Sequence, residues 1–211
     1  MQFKPQREHV VELCLELSRR GYFAGTGGNL MLRIDAERVA VTPSATDYLE
    51  MIAADVTVLR LQDLARLDGD KAPSVESSLH ARVLKARPDV GCSIHTHQPV
   101  ASACALLGRA LTVPARWQAT LGARVPMVGY APSGSSWLAS KLAGALSLDI
   151  NAYLMRNHGI LCCGADSAAA LQAVDDLEAL ARHHLTERIA NQARSAAQPQ
   201  LWHVIEALAA S

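Results

Sequence analysis

Apolar positions recur along this chain with two different periods, and the changes of period mark out its elements. Over 7–20, Val10, Leu13, Cys14 and Leu17 fall at helical spacing, and Gly21 is placed to end that helix. The stretch Ala24-Gly25-Thr26-Gly27-Gly28-Asn29 breaks all periodicity. Leu30, Leu32 and Ile34 then alternate like a half-buried strand, and 39–42 is expected to pair with it across a turn at Asp35-Ala36-Glu37. Pro43-Ser44-Ala45-Thr46-Asp47 reads as a loop and 56–61 as a further strand.

Ser74 is expected to cap a helix over 75–86, since Val75, Leu79 and Val83 share one stripe, and Pro88 stops it. A short buried strand over 91–95, a helix over 100–107, a strand over 124–130 and a helix over 137–146 follow. The segments 152–155 and 160–163 read as strands flanking the turn Arg156-Asn157-His158-Gly159. A long helix over 168–189, a polar break and a short helix over 202–209 complete the pattern. Strands interleave with helices, yet several connections are too short for a parallel crossover. The expectation is an α/β fold, one domain over 1–211, with a mixed but mostly antiparallel sheet.

At 211 residues, half of them hydrophobic, the chain can bury one sizeable core. Its 20 basic and 20 acidic side chains balance, so no cationic excess is available for a nucleic-acid backbone or a membrane surface. The five cysteines, Cys14, Cys92, Cys104, Cys162 and Cys163, are odd in number and irregularly spaced, unlike a disulfide framework. No apolar signal core opens the chain, and no apolar run approaches the roughly 20 residues of a membrane span. A soluble protein of a reducing cytoplasm is expected.

The chemistry concentrates in His95-Thr96-His97. In an extended segment, side chains at i and i+2 share a face, so two imidazoles there can clasp one ion. His158, in its turn between two apolar strands, is either a solvent-facing turn residue or a third ligand arriving from a distant strand end. Glu76 is either a surface carboxylate helped by the helix dipole or a metal ligand and general base. Three protein ligands would leave a position open for substrate, the mark of a catalytic metal site.

The run Gly25-Thr26-Gly27-Gly28-Asn29 is either a flexible turn or a cradle whose backbone N–H groups hold a phosphate. It is neither a P-loop nor a dinucleotide fingerprint. His9, His80, His183, His184 and His203 read as structural or surface residues, although His80, four residues after Glu76, could share a helix face with it.

Taken together, these pieces resemble the class II aldolase/adducin head family, most of all its fuculose-1-phosphate aldolase branch. The motifs that carry the resemblance are Gly25-Thr26-Gly27-Gly28-Asn29, Val41-Thr42-Pro43-Ser44, Pro73-Ser74-Val75-Glu76, Arg87-Pro88-Asp89, His95-Thr96-His97 and Asn157-His158-Gly159. They keep the family's order and nearly its spacing over about nine-tenths of the chain. The resemblance implies a three-layer α/β/α fold in which His95, His97 and His158 bind zinc. It implies that Glu76 completes the metal shell at rest and serves as acid and base during turnover. Thr26, Gly27, Gly28, Asn29, Ser44 and Ser74 would line the phosphate pocket of a sugar-phosphate substrate, in a homotetramer with its site at a subunit interface.

The implied reaction is reversible cleavage of a ketose 1-phosphate through a metal-stabilised enediolate. Relatives with the same cage decarboxylate a keto-acid phosphate, epimerise a pentulose phosphate or dehydrate methylthioribulose phosphate, and adducin heads are binding modules without the metal residues. Three departures from the aldolase pattern stand out. Ala45 and Val75 replace a glycine and a serine, and no tyrosine stands near Val113-Pro114-Ala115-Arg116-Trp117-Gln118. Arg116 is either a surface residue or a recogniser of substrate carboxylate.

Overall fold

The computed structural model describes residues 1–23, 25–195 and 201–210; Ala24, at the start of the glycine-rich break, lies outside the described residues. In chain order the elements are α1 (Lys4–Arg19), β1 (Asn29–Arg33), β2 (Arg38–Val41), β3 (Thr57–Arg60), β4 (Arg66–Asp68), α2 (Ser77–Ala86) and β5 (Cys92–Thr96). There follow α3 (Pro99–Leu106), β6 (Leu111–Thr112), α4 (Ala115–Leu121), β7 (Arg124–Val125), β8 (Met127–Val128) and α5 (Ser136–Ala143). The last are β9 (Ala152–Met155), β10 (Gly159–Gly164), α6 (Ser167–Ser195) and α7 (Leu201–Ala210).

Eight strands form one sheet in the order β4-β3-β2-β1-β5-β10-β9-β8. Every neighbouring pair is antiparallel except β8 and β9. Strand alternation divides the core in two. Leu30, Ala40, Cys92, Ile94, Leu154, Ile160 and Cys162 face α1, α3, α4 and α6, whereas Met31, Val39, Val41, Tyr153, Met155, Leu161 and Cys163 face α2 and α5. The result is the expected three-layer α/β/α arrangement. The adjacent cysteines at 162 and 163 enter opposite cores for the same reason.

Several boundaries differ from expectation. The strand over 124–130 is two short strands, because Pro126 has no N–H for a ladder; β7 pairs with β6, and β8 with β9. The helix expected from 75 starts at Ser77, and Ser74 is not its cap. The Ser74 N–H is taken by the Thr42 carbonyl at 3.0 Å, and the Ser44 N–H by Ala72 at 2.8 Å, so this segment stays extended beside 42–44. The short helix α4 had no apolar stripe to betray it, since only Leu121 within it is buried. Edge strand β4 is largely exposed and shows no alternation.

For function, the important consequence is at one end of the three central strands. There β1 begins and β5 ends, Asn29 pairing with His95, and β10 begins beside them, Ile160 pairing with Thr96.

Candidate active site

Residues Ser93 and His95 of β5 point to the α2 and α5 side, and His97 continues that face beyond the strand. The turn between β9 and β10 brings His158 to the same place. One nitrogen from each of His95, His97 and His158 lies within 4.8 Å of the others. Ring centroids are 4.6 Å apart for His95 and His97, 4.7 Å for His95 and His158, and 5.4 Å for His97 and His158.

Two features hold the imidazoles in this pose. His95 Nδ1 lies 2.6 Å from the Ile160 carbonyl oxygen, which can only accept, so Nδ1 carries the proton and Nε2 presents its lone pair to the cluster. That Nε2 is buried and makes no hydrogen bond. Gly159 supplies the second feature. A Cβ there would sit 2.5 Å from His97 Cδ2 and 2.6 Å from the Thr96 oxygen, so only glycine lets the turn close on the β5 histidines. Asn157, beside it, takes the left-handed conformation at φ 55°, which asparagine tolerates better than most side chains.

The chain is pinned again just past His97. Gln98 accepts from Thr96 Oγ1 at 2.6 Å and donates to the Val174 carbonyl at 3.0 Å. Glu178 of α6 then accepts from the Val100 and Ala101 N–H groups at 2.9 Å, satisfying the open end of α3.

Glu76 stands just before α2 and is almost fully buried. Its Oε2 lies 3.2 Å from His95 Nε2 and its Oε1 3.3 Å from His158 Nε2. Oε2 accepts from Asn29 Nδ2 at 2.9 Å, and Oε1 from Ser133 Oγ at 2.7 Å. Burial opposes the negative charge, but the pull of His95 in its charged form, the Asn29 and Ser133 donors and the charged form of His158 prevail, and the carboxyl lies below the usual carboxylate range. Burial, above all, pushes His95 and His97 below the ordinary imidazole value, so both are neutral and ready to ligate.

Thr26, Gly27, Gly28, Asn29, Ser44 and Ser74 line one cleft of about 160 Å³ with Glu76, His97 and His158. The glycine-rich run is anchored from below: Tyr48 OH donates to the Gly28 carbonyl, and the Tyr48 and Phe23 rings stack at 4.7 Å. Gly28 has φ 87°, and a Cβ on it would meet the Phe23 ring at 2.4 Å. Ala45 also lines the cleft, at φ 51°. A larger cavity of about 940 Å³ opens at the other end of β1, near Arg33, Arg60 and Lys85, but holds none of the histidines.

The family model for the class II aldolase and adducin N-terminal domain matches residues 8–185. The chain belongs to this family. It is a lyase, and class II aldolases are metal-dependent enzymes, to which the histidine cluster corresponds. The 5-deoxy-D-ribulose 1-phosphate aldolase of Bacillus thuringiensis is 29% identical, over 95% of this chain and 91% of its own length. The 3-oxo-tetronate 4-phosphate decarboxylase of Haemophilus influenzae is 28% identical, over 86% and 87%. A solved L-fuculose 1-phosphate aldolase has a TM-score of 0.80 at 24% identity, covering 98% of this chain and 97% of its own, a likeness of fold.

Within this class II aldolase fold the metal candidates His95, His97 and His158 meet Glu76, and the cleft beside them takes in Thr26, Gly27, Gly28, Asn29, Ser44 and Ser74. Two further residues of the cleft, Tyr48 and Ser133, carried no signal, because each lies in a loop and reaches the site only through folding. Arg116 is not in the cleft lining and instead lies over the Trp117 ring at 3.8 Å. His80 is no helix-face partner of Glu76 toward a metal; its imidazole nitrogens face Asn29 and Ser93. No helix among the described residues is long and apolar enough to cross a membrane.

Proposed function

We propose that this class II aldolase is a zinc enzyme that reversibly cleaves a small ketose 1-phosphate to dihydroxyacetone phosphate and an aldehyde. The observation that carries the reading is the meeting of three imidazoles and one buried carboxylate beside a cleft lined by glycines and hydroxyls. His95, His97 and His158 would hold the ion, and the buried, unbonded Nε2 of His95 is what a metal ligand should be. Nitrogen donors of this kind suit zinc. A divalent ion there supplies Lewis acidity toward the substrate's carbonyl oxygen and so acidifies the adjacent C–H.

Glu76 moves the proton. In the synthetic direction its carboxylate takes one from the carbon next to the carbonyl of dihydroxyacetone phosphate; in cleavage it returns one there. A carboxylate stabilised this strongly is a weak base alone, so the reaction depends on that acidification. The N–H groups of Gly27 and Gly28 and the hydroxyls of Thr26, Ser44 and Ser74 are assigned to the phosphate, with neutral donors in place of cations. A homotetramer and a cytoplasmic location belong to the same proposal.

The test is to incubate the zinc-loaded protein with dihydroxyacetone phosphate and a panel of aldehydes and to read product stereochemistry. Carbon–carbon bond formation that needs the phosphate is expected; equal use of free dihydroxyacetone would overturn the phosphate assignment. A second reading, decarboxylation of a keto-acid phosphate, is favoured by the Haemophilus influenzae relative. Carbon dioxide release from such a substrate, without aldol product, would decide for it.

A further inference from the structure

Beneath the cleft, and outside its lining, lies a side chain with no place in the chemistry above. His80 of α2 is fully buried, and both ring nitrogens have partners: Nε2 lies 2.6 Å from Asn29 Oδ1, and Nδ1 lies 2.8 Å from Ser93 Oγ. An amide oxygen cannot donate, so the proton resides on Nε2 and Nδ1 accepts from the serine hydroxyl. With Oδ1 thus turned to His80, the Asn29 amide has one orientation left, with Nδ2 donating to Glu76 Oε2 at 2.9 Å. Ser93 of β5, His80 of α2, Asn29 of β1 and Glu76 therefore form one series with a single direction of donation.

We propose that His80 is a positioning residue that, acting through Asn29, fixes the Glu76 carboxylate in the pose its proton transfer requires. The inference rests on the acid–base role given to Glu76 above. Without a donor at the Nε2 position, the Asn29 amide can turn over and set its oxygen against the carboxylate, acceptor against acceptor. The carboxylate then loses a bond from the strand side while keeping the one from Ser133, and swings away from the place the reacting carbon occupies. An apolar side chain of equal size would fill the space but leave the amide unheld.

The test combines kinetics with a readout on the metal-free protein. His80→Leu should lower kcat about 10- to 100-fold, the range seen when groups supporting a metal site are removed. KM should change less than about threefold and zinc stoichiometry should hold. His80→Gln, whose amide nitrogen can reach the Nε2 position, should recover most of the loss. In an Asn29→Ala background, His80→Leu should add less than about twofold, since the link is already cut. Nitrogen-15 NMR of the metal-free wild type should show His80 protonated on Nε2. A wild-type kcat for His80→Leu, an additive loss in the double variant, or a proton on Nδ1 would each overturn the proposal. If His80→Leu does not fold, the tautomer and the glutamine variant decide, and a glutamine variant that recovers nothing also overturns it. Glu76→Gln separates the two ideas. Wild-type proton exchange in that variant removes the acid–base role itself, whereas an inactive Glu76→Gln beside a fully active His80→Leu removes the positioning role alone.

Discussion

His95 donates its Nδ1 proton to the carbonyl of Ile160, two residues beyond His158. One imidazole is thereby oriented by the strand that the turn bearing another imidazole leads into, so the cluster is built into the β5–β10 ladder. Replacing His95 by Ala should abolish stoichiometric zinc while the far-ultraviolet circular dichroism stays close to that of the wild type. Unchanged metal content in the purified variant would remove His95 from the ligand set.

Gly159→Ala should damage the same centre without replacing a ligand. The added Cβ would press on the Thr96 backbone oxygen at 2.6 Å and on the His97 ring at 2.5 Å, and backbone cannot yield cheaply within a ladder. The turn should shift, with zinc affinity falling roughly 10- to 100-fold, as for other disturbances of a ligand's support. Isothermal titration with zinc measures it, and wild-type affinity would show that the turn adapts.

Ser133→Ala removes the donor to Glu76 Oε1. A hydrogen bond to a charged acceptor favours the ionised form, and its loss raises the carboxyl pKa from its lowered value toward the ordinary one. The sign follows: activity that needs the carboxylate is present above that pKa and lost as pH falls through it, so the acid limb of kcat/KM should move to higher pH. With Ser133 itself partly open to water, a shift of about one pH unit is the expected scale, since such bonds are worth roughly 1.5–3 kcal/mol when shielded. An unmoved acid limb would show that Ser133 does not act on Glu76.

Ala45→Gly tests a strained spot beside the cleft. Alanine at φ 51° occupies a region where an L side chain costs about 1–2 kcal/mol. Glycine removes that cost but loses roughly 0.5–1 kcal/mol to the freedom of the unfolded chain. A net gain of about 0.5–1 kcal/mol, or a melting temperature higher by roughly 1–4 °C, is expected. A lower melting temperature would mean the methyl group makes contacts that outweigh its conformation.

The strand period alone was enough to put His95 and His97 on one face, and the stripe of α1 was equally plain, with Val10, Leu13, Cys14 and Leu17 all buried. Of the stripe expected for α2, Leu79 and Val83 are buried while Val75 lies ahead of the helix and is exposed. Elements held by few buried apolar contacts were not legible: α4 buries one residue, β4 lies on an exposed edge, and β7 and β8 are separated by a proline. The glycine-rich run reads from its residues as either a flexible turn or a cradle, with the phosphate role implied by the family resemblance, and Thr26, Gly27, Gly28 and Asn29 line the cleft. That Asn29 within it would also join His80 to Glu76 depends on the β1–β5 register, which no local pattern encodes. Ser133 reaches Glu76 across 57 residues of chain, a distance over which only the assembled layers decide who meets whom.

The two neighbouring thiols at 162 and 163 look, on paper, like a ready redox couple, yet the pleat sends them to opposite sides of the sheet. All five cysteines are free and buried, and burial raises the pKa of each. Thiolate, the reactive form, is thus scarce in the native protein. An alkylating reagent added to intact enzyme should therefore modify it only as fast as the layers part, which makes the unmodified sulfurs an internal clock for how often this molecule opens.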